Sequence, residues 1–411
     1  MKLEIHLLQS FPPANLNRDE NGMPKSTVFG GRARARISSQ CQKRAVRKYY
    51  HEFHDELGID PKLFADRSRS FNRELTKILV ELGVTSEQAE ITAKLTISVL
   101  TEKPKKDKDK KVKKSKKNDS SPDDDTEESD SDTASSSKSD TILFLGRTEV
   151  KCIAQVLQDN WSDIEGLLAT EPSALAKIKK LIIPVIQPPK DSNSAFGKSG
   201  DVALFGRMMA VLPEGKVDAS VQMAHAISVS KLEQEFDFFT AVDDLPSSDN
   251  QGADHLGETG YNSSTYYRYS NVDIDQLTKN IGSPESVESV IKAFVKAFIK
   301  AIPSGHQNGF AAHSLPALVA IVVRDGQPIS LVDAFEDPIR PGDGKSLLEN
   351  AVINLDTHWA DLAKMYGDKS VKFVGVVTRS KLAQSLTNLK TKEQPSVESL
   401  IEAALAALQE A

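Results

Sequence analysis

"FGGRARARISSQCQKRAVRKYY", residues 29–50, holds two periodicities in one short run, and the passage from one to the other sets the fold. The first half alternates. In an extended chain Arg32, Arg34 and Arg36 share one side, Ala33 and Ala35 lie between them, and Gly30 and Gly31 allow close backbone approach. The second half is helical: Ser39-x-x-Gln42 reads as a capping box and predicts a helix from Gln40 to about residue 57. On that helix Cys41, Ala45, Val46, Tyr49 and Phe53 form an apolar face, while Gln40, Lys43, Arg44 and Arg47 form a basic one.

The charge is lopsided. From Lys25 to Lys48 there are eight Lys or Arg residues and no Asp or Glu, although the chain carries a net charge of −6. A solvated helix face usually mixes signs, so an uninterrupted run of cations fits an extended polyanion better than water alone. The helix N-terminus adds backbone N–H groups for an anion. Because the apolar face is needed for packing, no hydrophobic wedge is left for a lipid surface, and nucleic acid rather than membrane is the expected partner.

The remaining chain supports a soluble α+β protein. At 411 residues it has room for one large or two ordinary domains. No apolar run approaches the roughly 20 residues of a membrane span, and "MKLEIHLLQSFPP" alternates as a strand without a signal-peptide pattern. Only Cys41 and Cys152 occur, too far apart in the sequence for a CxxC site, so neither a disulfide framework nor zinc is expected. These features predict a cytoplasmic protein with no cofactor.

Residues 101–140 have a lysine block followed by an acidic, serine-rich block and almost no apolar side chains; they read as a disordered insertion. Around it, "FNRELTKILVELG", "TSEQAEITAKLTISVL", "TEVKCIAQVLQDNWSDIEGLL" and "SALAKIKKLIIPV" are helical, which makes 62–186 a helical subdomain. From about 200 strands return. "DVALFGRMMAVLPEGKVDASVQMAHAISVS" reads as a long hairpin turning at "PEGK", and "STYYRYSNVDI", "PALVAIVV" and "VKFVGVVTR" as further strands. "PESVESVIKAFVKAFIKAI" and "SVESLIEAALAALQ" are amphipathic helices. Strand, helix, strands, helix, strand is the order of a ferredoxin-like (RRM-like) sheet. The expected domains are a palm of 1–61 and 187–411 with a hairpin thumb at about 195–235, and the inserted helical finger.

Phe205, Arg207, Met208 and Met209 gather near the turn-proximal part of that hairpin. Such residues are ordinarily core, but a long hairpin cannot bury both faces in its own domain, which leaves apolar side chains to wedge between bases or to pack on a neighbouring copy. Asp254-His255 and His225 lack the spacing of a metal motif, and Gly30-Gly31 lacks the lysine of a phosphate-binding P-loop.

The blocks "LQSFPPANLNRDENGMPKSTVFGGRARARISSQCQKRAVR", "ALFGRM", "VDASVQMAHAIS", "FDFFTAVDDL", "GYNSSTYYRY" and "SGHQNGFAAHSLP", in this order, resemble the CasC-type backbone subunit of Cascade, the type I-E CRISPR surveillance complex. The resemblance covers nearly the whole chain except 101–140. It implies an RRM-like palm, a helical finger and a hairpin thumb, and several copies polymerised along the spacer of CRISPR RNA, each thumb kinking the strand so that segments of guide are ordered for pairing with target DNA. Its implied partners are CRISPR RNA, the DNA paired to it, further copies of itself, and the large, small, guide-processing and 5′-handle-binding subunits.

Carried over by position, Arg18, Lys25, Arg32, Arg34, Arg36, Ser38, Gln40, Lys43, Arg44 and Arg47 would hold guide phosphates and sugars. Phe205, Arg207, Met208 and Met209 would lie at the displaced nucleotide, Phe238 and Phe239 would be stacking candidates, and His306, Gln307 and Asn308 would form a glycine-rich RNA-binding loop. The family often has lysine where this chain has His306, which implies a weaker and pH-dependent contact there. The implied role is non-catalytic. The alternative is a metal-dependent RNA-cleaving backbone subunit, for which Asp19 is the loop acid best placed; the plainer reading of Asp19 is that it orders its loop through backbone N–H groups.

Overall fold

The structure, a computed structural model, describes residues 1–102, 141–187, 197–241 and 255–410. The insertion expected at 101–140 therefore lies almost wholly outside the described residues, as does the start of the expected thumb. The chain divides into two compact units: Met1–Ala65, Pro188–Arg207 and Val217–Ala411 form the first, Asp66–Gln187 and Met208–Lys216 the second.

Strands run in the order β1 (Lys2–Ala14), β2 (Ser26–Phe29), β3 (Arg32–Ile37), β4 (Ala65–Ser68), β5 (Leu143–Gly146), β6 (Val221–Met223), β7 (Ala226–Ser228), β8 (Gln234–Ala241), β9 (His255–Asp273), β10 (Leu318–Arg324) and β11 (Val371–Thr378). All but β4 and β5 join one sheet of the first unit, ordered β11-β10-β1-β9-β7-β3-β2, with β6 and β8 also paired to β9. β1 sits at the centre, antiparallel to β10 and β9 on its two sides.

The alternation of β1 explains why it is central. Leu3, Ile5 and Leu7 point to one face, where they meet Val46 and Tyr50 of the basic helix Ser39–Glu52 and Phe294 and Phe298 of the helix Pro284–Lys300. Leu8 points to the other, against Tyr267, Tyr269 and the helix Leu347–Tyr366. A strand covered on both faces must also satisfy its polar residues. Glu4, fully buried, accepts from Arg324 Nε at 2.8 Å and from the Ile329 N–H at 3.1 Å. Burial alone would raise its carboxyl, but His6 and Arg324 hold it below the ordinary value.

The expected succession of strand, helix, strands, helix and strand is present as β1, Ser39–Glu52, β6 and β7, β9, Pro284–Lys300 and β10. Three local expectations need correction. The basic helix begins at Ser39 with Ser38 as its cap, because Ser38 Oγ accepts from the Cys41 N–H at 3.2 Å; Gln42 is drawn inward instead of closing a capping box. The helix stops at Glu52, and a separate turn His54–Leu57 follows.

The run expected as a long hairpin is instead a short buried helix, Gly200–Phe205, a single bridge between Arg207 and Val217, and the two short strands β6 and β7. Gly206 ends that helix at φ 75°, and an added Cβ there would lie 2.9 Å from the Ala219 nitrogen, so the chain turns where a strand would have continued. The long hairpin of the sheet is β8–β9. The twenty-residue helix Leu347–Tyr366, opened by the capping box Ser346-x-x-Glu349, is an element the sequence reading left out.

The second unit is helical. Helices Phe71–Glu81, Ser86–Thr101, Arg147–Asp159 and Glu171–Ile186 bury Leu79, Ala93, Ala154 and Ile178 among them. Beside them β4 and β5 form a small sheet, where Arg67 lies 4.9 Å over the Phe144 ring. Among the described residues no helix is long and apolar enough to cross a membrane.

Candidate nucleic-acid interface

Four segments of the first unit converge around Asn17. Its carbonyl accepts from the Lys25 N–H and its Oδ1 from the Ser38 N–H, both at 2.8 Å. One side chain thus ties the loop after β1 to the cap of the basic helix. Asp19 shapes the same loop: its Oδ1 accepts from the Asn21 and Met23 N–H groups, each at 2.9 Å, and its own N–H donates to the Met23 carbonyl. Arg18 and Lys25 are thereby held on a closed loop, Arg18 exposed and Lys25 partly so.

The β2–β3 hairpin is the second segment. Its turn is Gly30-Gly31, both at positive φ. Arg36 joins it to the loop, with its N–H on the Lys25 carbonyl at 2.9 Å, its Nε on the Ser26 carbonyl at 3.3 Å and Nη1 on His225 Nδ1 at 3.1 Å. Arg32 at the turn is exposed. The basic helix is the third segment: Gln40, Arg44 and Lys48 are exposed and Lys43 partly so. Arg47 faces inward more than its position on the wheel implies, donating to the Ala65 carbonyl at 3.1 Å with Asp201 at 3.6 Å.

The glycine-rich loop is the fourth. Gly305 passes against the Leu16 carbonyl, 2.5 Å from where a Cβ would stand, so the loop is pressed onto the chain next to Asn17. His306 follows in the left-handed region at φ 48° and accepts from Arg18 Nη1 through Nε2 at 2.9 Å. Burial, and then the neighbouring Arg18 charge, lower its pKa below the ordinary histidine value, which keeps the ring neutral and able to accept. Gln307 closes the loop, donating to the Pro303 carbonyl and accepting from the Ala312 N–H, while Asn308 is exposed.

Several expected contacts are placed elsewhere. Arg34 is fully buried: Nη1 donates to the Ser228 and Val229 carbonyls and Nη2 to those of Phe335 and Glu336, at 2.8 to 3.1 Å. It braces the hairpin and faces no solvent, so the shared side of Arg32, Arg34 and Arg36 is not a row of three surface cations. Ser38 is buried in its capping role. Arg207 is buried beside the bridge to Val217, and Phe205 packs edge-on against Phe294.

In the second unit Met209 is buried, close to the backbone of Gly215 together with Ile186, whereas Met208 is 88% exposed. On β8, Phe238 and Phe239 are 65% and 48% exposed and, alternating along a strand, leave by opposite faces. The sequence reading missed Asn17 and Arg268, and gave Gln42 and His225 no place in the site. Asn17 and Arg268 are buried polar partners without a motif, recognisable only once distant segments are in contact.

Residues 3–403 match the family model described as CT1975-like protein. No curated protein matches the chain. Among solved structures, a chain of a "CRISPR RNA-guided surveillance complex, pre-nicking" is similar with a TM-score of 0.75 and 31% identity, covering 99% of this chain and 100% of its own length. A chain of a "CRISPR RNA-guided surveillance complex" is similar with a TM-score of 0.66 and 27% identity, again covering 99% and 100%.

Proposed function

The chain belongs to the CT1975-like protein family, and we propose that it is a non-catalytic CRISPR RNA-binding backbone subunit of a Cascade-type surveillance complex, of type I-E. It polymerises along the guide spacer and pre-orders it for pairing with target DNA. The observation that carries this reading is the convergence of Arg18, Lys25, Arg32, Arg36, Lys43 and Arg44 on three linked segments, all but Arg18 within a run of sequence that has no acid between Lys25 and Lys48.

Cations held on closed loops and a short hairpin lose little freedom on binding and read phosphates without reading bases, which suits a scaffold that must accept any spacer. The central strand order β10-β1-β9-β7, with helices between β1 and β7 and between β9 and β10, supports an RRM-like palm. Likeness to chains of RNA-guided surveillance complexes over 99% of this chain supports both the guide and the other subunits as partners. Asp19 supports the non-catalytic role, since one of its carboxylate oxygens already accepts two backbone N–H groups.

The test is to mix the full chain with a single-stranded RNA of guide length, with and without Mg²⁺, and to follow stoichiometry by native mass spectrometry and RNA length on a gel. Several copies per RNA, on RNA that stays intact, are expected. A single copy whatever the RNA length would make it a monomeric RNA binder, and RNA shortened only with Mg²⁺ would favour the cleaving alternative.

A further inference from the structure

Beneath the basic helix lies a buried arginine that, among the described residues, meets only neutral acceptors. Arg268, in the middle of β9, is buried, and its three acceptors are Gln42 Oε1 at 3.2 Å from Nε, Gln9 Oε1 at 2.5 Å from Nη1, and the Phe298 carbonyl at 2.9 Å from Nη2. Its guanidinium also lies 4.7 Å over the Phe298 ring. Burial pushes its pKa down to about 10, so the charge is kept at neutral pH.

A charge buried among neutral acceptors is an expensive way to fill space, and an apolar side chain of similar volume commonly serves packing as well or better. What the guanidinium adds is direction, because its planar donors fix the amides they meet. Those two amides lead to different segments of the interface. Gln42 is on the basic helix and passes the connection on to the Ile37 and Ala224 carbonyls. Gln9 is on β1 and donates through Nε2 to the Ser314 carbonyl, at the far end of the glycine-rich loop.

Resting on the guide-binding reading above, we infer that Arg268 is a positioning residue for the guide: it holds the basic helix and the glycine-rich loop in one fixed relation, so that both present their phosphate-binding groups together. Arg268 itself contacts no phosphate. Its replacement therefore weakens phosphate binding by other residues.

The test measures binding of a fluorescein-labelled single-stranded RNA to the full chain over a series of KCl concentrations, for wild type, Arg268→Met, Arg268→Lys and Gln9→Leu, with thermal unfolding alongside. Wild type should show a steep fall of log K with log salt. Arg268→Met should bind about tenfold more weakly, with a slope reduced by about 0.7 for each phosphate that is no longer neutralised. Arg268→Lys, which keeps the charge but not the fork, should behave like the methionine variant.

Gln9→Leu, which breaks only the branch to Ser314, keeps the question open to test if Arg268→Met fails to fold; it should show part of the same reduction in slope. Unfolding that shifts while folded variants keep the wild-type affinity and slope would reduce Arg268 to a structural role and overturn the inference. Full rescue by lysine would overturn it in favour of charge alone. A wild type without salt-dependent RNA binding would overturn the guide-binding reading and this inference with it.

Discussion

Arg34 and Glu336, about three hundred residues apart in the chain, meet at one carbonyl: Arg34 Nη2 donates to the Glu336 oxygen at 2.8 Å. That oxygen also lies 1.9 Å from where a Cβ on Gly30 would be. The turn of the basic hairpin is thus clamped from both sides on one peptide group. Gly30→Ala must move that peptide and also place a side chain at φ 56°, and it should destabilise the first unit by about 3 kcal/mol. Gly31→Ala, at φ 69° with open space around it, should cost only about 1 kcal/mol. Urea unfolding of the two variants checks this, and equal midpoints would contradict the clamp.

Two neighbouring arginines should separate stability from binding. Arg34→Ala removes a buried donor from four carbonyls, of which that of Val229 keeps the Ile339 N–H, with a loss of at least about 3 kcal/mol. Arg44→Ala, on the exposed face of the basic helix, should change unfolding by no more than about 0.5 kcal/mol while lowering the salt slope of RNA binding by about 0.7. Thermal melts and salt titrations on both variants decide it. A stable Arg34→Ala with a reduced slope would return Arg34 to the surface role expected of it from sequence.

This pair also marks how far the sequence could be read. Period-2 alternation placed Arg32, Arg34 and Arg36 on one side of a strand, and β3 is that strand. What alternation cannot tell is what covers each position, and the Phe335–Glu336 segment, distant in sequence, covers Arg34. β1, the basic helix and the helix Pro284–Lys300 were legible because each carries a full amphipathic period. The stretch from residue 200 was not, since "DVALF" is apolar almost throughout and gives no period to tell a buried helix from a strand; its residues Gly200–Leu204 are all buried. Met208 and Met209 looked alike in sequence, yet one is exposed and the other is core, a difference set by Ile186 and Gly215.

Asp19 can be tested by one atom. Its Oδ1 accepts both loop N–H groups, and an asparagine keeps that acceptor while removing the charge. Asp19→Asn should therefore match wild type in unfolding and in RNA affinity, whereas Asp19→Ala should lose about 1 kcal/mol and weaken RNA binding through a looser Arg18 loop. Guide-length RNA should stay intact with Mg²⁺ in all three proteins. Cleavage by wild type that Asp19→Asn abolishes would replace the scaffold reading with a catalytic one.

His306 sets the pH dependence. Burial and the Arg18 charge lower its pKa in the folded chain from the ordinary 6.5, so the unfolded chain takes up the proton first as the pH falls. The stability this gives is fully present above 6.5 and is lost as the pH falls through the lowered folded value. A guide phosphate beside His306 acts in the opposite direction: its negative charge offsets Arg18 and favours the imidazolium. RNA binding then takes up a proton, and affinity should rise on acidification below 6.5, by at most about tenfold per pH unit for one group. The free protein should become easier to unfold over the same interval in which it binds RNA more tightly. His306→Gln should flatten both profiles, while His306→Lys, charged throughout, should bind more tightly at pH 7 without the acid-side rise. RNA titrations and urea midpoints from about pH 5.5 to 8 measure both. A wild-type affinity that follows the His306→Gln curve at every pH would mean that this loop does not face phosphate.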